Sequence, residues 1–126
     1  TPPLMESARK TASTVTALVR QSVMSGQVYA IDLSDGKIDA RFQTQSGWVA
    51  ALNPGNQDSV FAAVATLNID GQSTGKNKTE NDFFPQIWIL PTGEFQPFEM
   101  IAETDSGHIR LNAVLGRPIE VTFDAQ

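Results

Sequence analysis

Cysteine is absent from this 126-residue chain, and histidine occurs once, as His108. The first absence excludes disulfide staples, thiolate nucleophiles, Cys-type zinc clusters and iron–sulfur ligation. The second rules out an all-imidazole metal site within one chain. No apolar run approaches the roughly 20 residues needed to span a bilayer, and no signal peptide opens the sequence. Bases are in the minority, 9 against 14 acids, for a net charge of −5 and a pI near 4.6. A body of that charge repels a phosphate backbone unless its cations are concentrated in one place. What remains is 40% apolar residues, enough for one core in a chain of about one average domain. The composition implies a single domain over residues 1–126, with no cofactor and no obvious catalytic inventory.

The first 25 residues differ from all that follow. After Pro2 and Pro3, which suit a helix entry, Leu4, Ala8, Ala12, Val15, Val19 and Val23 recur at spacings of four or three, with Leu18 widening the stripe. That period is one face of a helix. Glu6, Lys10, Ser13, Arg20 and Met24 fall on the far side, and Gly26 is a natural stop because glycine enters the left-handed conformation cheaply. The spacing predicts one helix over residues 4–25, about 33 Å long, long enough to project beyond a globular body.

After Gly26 the period drops to 2. Tyr29, Ile31 and Leu33 share one face, and Ile38, Ala40 and Phe42 share another across Ser34-Asp35-Gly36, a favoured hairpin turn. Trp48–Leu52 and Val60–Ile69 read as further strands. The small residues of the second (Ala62, Ala63, Ala65) also suit a helix, but its branched and aromatic residues favour a strand. Gln72–Asp82 contains no apolar residue and reads as an exposed loop. Gln86–Leu90 is apolar on both faces, as in a central strand buried on both sides. Phe98–Glu103, His108–Ala113 and Ile119–Phe123 complete about eight short strands, separated by the turns Pro91-Thr92-Gly93-Glu94, Asp105-Ser106-Gly107 and Gly116-Arg117-Pro118. One long helix followed by such strands is an α+β arrangement, a helix over residues 1–26 packed on a mainly antiparallel β-sandwich head over residues 27–126.

Three chemical constellations compete with plain structural readings. His108 stands near Asp105 and Ser106, but triad members are assembled by folding rather than by adjacency, and the segment reads as a turn; no catalytic residue is assigned. Asp70, Asn77, Glu80, Asn81 and Asp82 gather oxygens on one polar stretch without the spacing of a calcium loop; no metal ligand is assigned. Trp48, Trp88 and the phenylalanines could line a sugar groove, although aromatics in alternating strands are more often core.

The order of elements carries a resemblance. Leu18–Gln27 runs directly into the strand Val28–Leu33, a hairpin follows, and the late segment Ile87-Trp88-Ile89-Leu90 leads to Gly93-Glu94 and Pro97-Phe98. The chain resembles the H-type minor pseudopilins of type II secretion, within the wider family that includes FimT-like minor pilins. The resemblance implies a pilin-like fold and a non-enzymatic subunit at or near the tip of a periplasmic pseudopilus that helps folded proteins cross the outer membrane. It also implies a prepilin peptidase site and an apolar inner-membrane helix ahead of Thr1. Implied partners are the J-, I- and K-type tip subunits, the G-type major subunit and a secreted substrate, with no nucleic acid.

The charges fit such stacking. Arg9, Lys10 and Arg20 against Glu6 leave the helix at +2, so the other residues, with 6 bases and 13 acids, hold −7. Opposite charges steer encounter and fix register, although the same pattern also suits a helix that merely stays solvated. The residues singled out for assembly contacts are Met5, Arg9, Lys10, Ala17, Arg20 and Met24 on the helix, with Phe83 and Phe84 beside the polar stretch. Two other readings stand beside this one. A FimT-type DNA-binding pilin needs more clustered cations than Lys76 and Lys78, and a carbohydrate-binding sandwich needs Trp48 with Phe83 or Phe84 as an exposed platform.

Overall fold

A computed structural model describes residues 3–33, 36–51, 57–69, 72–73, 83 and 85–125. The amphipathic segment forms α1 (Pro3–Ser25), and its glycine stop is realised: Gly26 takes φ +73° and donates its N–H to Ser22 O. Then come β1 (Tyr29–Asp32), β2 (Lys37–Thr44), β3 (Gly47–Ala50), β4 (Gln57–Asp58), the short helix α2 (Val60–Val64), β5 (Thr66–Ile69) and β6 (Gln72–Ser73). The chain closes with β7 (Ile87–Ile89), β8 (Phe98–Thr104), β9 (Gly107–Ala113) and β10 (Glu120–Ala125). Among the described residues every pairing is antiparallel. One sheet runs β3-β2-β1-β7, with β4 also on β2, and the other runs β10-β9-β8-β5-β6.

The hairpin adopts the register its alternation required, Tyr29 opposite Phe42 and Ile31 opposite Ala40. Ile31, Ile38, Ile87 and Ile89 from the first sheet, and Met100, Leu111 and Ala113 from the second, meet Ala8, Val15 and Leu18 of α1 in one core. Leu4, Met5 and Val19 pack partly against it. The helix is therefore docked from its first turn, and its exposed end is confined to the last residues, Val23–Ser25.

Several sequence expectations are corrected. Val60–Ile69 is not one strand. Ser59 caps α2 by accepting the Ala62 N–H at 3.0 Å, which satisfies an orphan donor of the first turn. The branched residues that favoured a strand, Val60 and Val64, are the ones left exposed, while Phe61 and Ala62 enter the core. Gln72–Ser73, at the start of the polar stretch that reads as loop, pairs with β5; residues 74–82 lie outside the described segments. The Gln86–Leu90 run is not a central strand. Its paired part, β7, ends the first sheet, with Ile87 and Ile89 inward and Trp88 40% exposed. Its two apolar faces have separate causes, the core on one side and an aromatic cover on the other. Val23 leaves the core stripe and rests half exposed near Gly93; Ser22 takes the buried position instead. Among the described residues there are ten strands, of which β4 and β6 are only two residues long, in keeping with the expected sandwich of about eight.

Candidate assembly surface

Polar bonds, as well as apolar packing, fix how α1 rotates on the sandwich. Thr11, 1% exposed, donates its hydroxyl proton to Ser7 O at 2.8 Å. A hydroxyl has one proton to give, so the 2.9 Å contact between Thr11 Oγ1 and Ser59 Oγ has Ser59 as donor. Ser7 Oγ in turn accepts the Phe61 N–H at 3.0 Å. At the other end, the fully buried Ser22 donates to Gln27 O at 2.6 Å, with Ile89 O at 3.4 Å. Buried hydroxyls without partners are costly, so turning the helix about its axis would lose both anchors. The anchored face thus determines which face looks outward.

That outer face carries Glu6, Arg9, Lys10, Ser13, Thr16, Arg20 and Met24, all exposed, with Met24 at 80%. Val23, Met24 and Ser25 form an uncovered end beside the Pro91–Glu94 turn, where Gly93 at φ +90° donates its N–H to Leu90 O. Among the described residues, no helix is long and apolar enough to cross a membrane.

The outer face of the first sheet holds a second cluster. Trp48 on β3 and Trp88 on β7 belong to the two ends of a four-strand path, about 14 Å apart at normal strand spacing. Their ring centroids nevertheless lie 5.3 Å apart. The rings must therefore lie along the sheet and meet across its middle. Between the two ends Ala30, paired to both Arg41 and Trp88, is fully buried. Phe83 packs edge-on against Trp48 at 5.2 Å, and the Arg41 guanidinium sits 4.5 Å from the Phe83 centroid. These rings are inclined at 59° and 63° to one another, so they cover the sheet and do not form a coplanar sugar platform.

The outer face of the second sheet is ionic. Arg110 bridges Glu99 on one side and Asp124 on the other, and His108 Nε2 lies 3.1 Å from Asp124 Oδ2. Hydrogen bonding to Glu99, then to Asp124, raises the guanidinium above its ordinary range. The imidazole that stood beside Ser106 in sequence is thus engaged by Asp124, while Asp105 and Ser106 sit exposed in the turn. Among the described residues, no group of three acidic or histidine side chains is arranged to hold a metal ion.

No known family profile matches the chain, and no curated protein matches it in sequence. Solved structures do. One structure of the minor pseudopilin EpsH from the type II secretion system of Vibrio cholerae superposes with a TM-score of 0.67 at 17% identity, covering 94% of each chain. A second structure of EpsH from the same organism gives 0.70 at 17% identity, over 95% of this chain and 93% of that one. The fold is that of a minor pseudopilin.

On this pseudopilin frame the singled-out residues occupy different environments. Arg9, Lys10, Arg20 and Met24 are exposed, and Ala17 is half buried. Met5 is half buried, with Leu4, beside Ile109 and Phe123. Phe83 is half buried, engaged by Trp48 and Arg41, and Phe84 lies outside the described residues. Reading the sequence missed Thr11, Ser22 and Ser59, which hold the helix in place. Thr11 lies three residues after Ala8 and four before Val15, a spacing that could have marked it as facing the core. Ser22 carries the same signal, four residues after Leu18 and seven after Val15, whereas Ser59, outside the helix, has no such spacing.

Proposed function

We propose that this chain is a minor pseudopilin, a non-enzymatic structural subunit of a type II secretion pseudopilus. In this reading it sits at or near the tip and assists export of folded proteins across the outer membrane. The observation that carries it is the two-sided α1. One face is fixed to the sandwich by apolar packing and buried hydroxyls, and the opposite face presents Arg9, Lys10, Arg20 and an uncovered Met24. The fold shared with EpsH along nearly the whole chain supports the assignment.

The mechanism is packing. Helices of neighbouring subunits bundle along the cationic face, and the acidic head of one meets the basic flank of the next, where opposite charges set register. The J-, I- and K-type tip subunits and the G-type major subunit are the proposed neighbours, a secreted substrate is a further one, and the chain is periplasmic, held to the inner membrane by a helix preceding Thr1.

The cysteine-free sequence makes a clean test. Single cysteines at Lys10, Arg20 and Met24, placed in the full-length gene in its own cell, should cross-link to co-encoded pseudopilins, whereas one at the exposed Gln43 on the first sheet should do so less. Deleting the gene should reduce secretion of the system's exoproteins. Helix positions that never form adducts, with secretion intact after deletion, would refute the assignment.

A further inference from the structure

The open edges of the two sheets are unequal. β7 is three residues long and its margin is taken by the return that bridges Ile89 to Phe95, while β3 has four residues and β6 two. β10 has six, ends the second sheet, and contains no proline or glycine. A long unpaired edge is what proteins normally blunt or cover.

A seam accompanies this edge. α1 and β10 border two hollows in line, one of about 350 Å³ among Arg9, Ala12, Thr16, Ile119 and Val121, the other of about 410 Å³ among Leu4, Met5, Ile109 and Phe123. Pairing fixes the directions of the side chains. Val121 and Phe123 lie opposite the buried Leu111 and Ile109, so they share the inner face; Glu120, Thr122 and Asp124 lie opposite Asn112, Arg110 and His108 and share the outer one. Phe123 remains 46% exposed although it faces inward. That is the state of an inner-face residue whose outer neighbour is missing.

We infer that β10 is a strand-addition site, taking an extended segment of a partner protein whose residues alternate apolar and basic. Main-chain bonds to the β10 edge supply binding, and the alternating side chains supply selection. Apolar residues enter the seam over Val121, Phe123 and Met5. Basic residues emerge on the outer face, where Glu99, Glu103, Glu120 and Asp124 outnumber Arg110, the one permanent cation there among the described residues of β8, β9 and β10. Charge also disfavours a second copy as occupant. Antiparallel pairing of two β10 strands about Thr122 sets Glu120 against Asp124 twice, and like charges opposite one another are destabilising. The inference does not depend on the pseudopilin assignment.

The test uses the isotope-labelled 126-residue chain and an end-blocked peptide of about seven residues, alternating lysine and valine. The expected result is slowed amide exchange at alternate β10 residues, with resonance shifts at Val121, Phe123, Leu4 and Met5. Replacing the lysines by glutamates should weaken binding about ten-fold, and Glu120→Lys should weaken the lysine peptide about three-fold without altering the fold. Equal binding of both peptides, shifts confined to another edge, or no β10 protection at millimolar peptide would overturn the inference. Protection of β10 in a dimer formed without peptide would overturn it in favour of self-pairing.

Discussion

The two sheets share one core but finish their outer faces by opposite means. The first spends its aromatics there: Trp48 and Trp88 meet over Ala30, with Phe83 and Arg41 packed beside them. The second carries a ladder of charges, Glu99–Arg110–Asp124 with His108 alongside. Burial of ring surface contributes kilocalories per side chain, whereas half-exposed ion pairs contribute about 0–1 kcal/mol. The first outer face therefore adds stability, and the second adds charge pattern at little energetic consequence. A molecule built to contact others through charge would distribute its residues this way.

The sharpest way to break the comparison is at the backbone of the second sheet. Gly107 lies opposite Ala125, and a Cβ there would fall 2.1 Å from Asp124 O and 2.9 Å from Ala125 Cα. Neither atom belongs to a flexible side chain, so the strands must separate. Gly107→Ala should cost about 3 kcal/mol and lower the melting temperature by about 10 °C. Both tryptophans report on the first sheet, so native-state emission should stay unchanged while thermal unfolding shifts. Emission that moves with the substitution would mean that the two outer faces are not independent.

Trp88→Ala probes the other side. It removes the ring that meets Trp48 and uncovers Ala30. Since Trp88 is 40% exposed, the cost should lie at the lower end for a large aromatic, about 2–3 kcal/mol. Near-ultraviolet circular dichroism from the tryptophan pair should collapse, with the far-ultraviolet spectrum retained. A cost under about 0.5 kcal/mol, the scatter of ordinary surface substitutions, would show that the aromatic cover is ornamental.

The same contrast explains what could be read from sequence. The hairpin, the core stripe from Ala8 to Leu18 and the three final strands depend on local periodicity and on turn residues, and these were legible. Features set by distant partners were not. α2 exists because Ser59 caps it and Phe61 finds a place in the core, which outweighs the strand preference of Val60 and Val64. β7 resembled a central strand because Trp88 meets a ring from the far end of the sheet. Ser22 displaced Val23 from the core because the carbonyls it reaches, Gln27 and Ile89, lie beyond the helix. The cationic helix face was legible as composition, and the seam beside β10 was not, since it arises only when both of its walls have formed.

The smallest expected effect sharpens the comparison most. Arg110→Met keeps the aliphatic stem and removes the charge between Glu99 and Asp124. The group is about one-third exposed, so its loss should cost under about 1 kcal/mol, shrinking further in high salt. Because its partners raise the guanidinium pKa, the stabilisation is fully present below the ordinary arginine value and is lost only as pH rises through the elevated one. The Arg110 contribution should therefore stay constant across neutral and mildly alkaline pH. Urea titrations of the variant and the parent at low and high salt measure the difference. A loss near 3 kcal/mol would place the ladder among the supports of the fold, and a loss near zero would leave it free to serve recognition along β10.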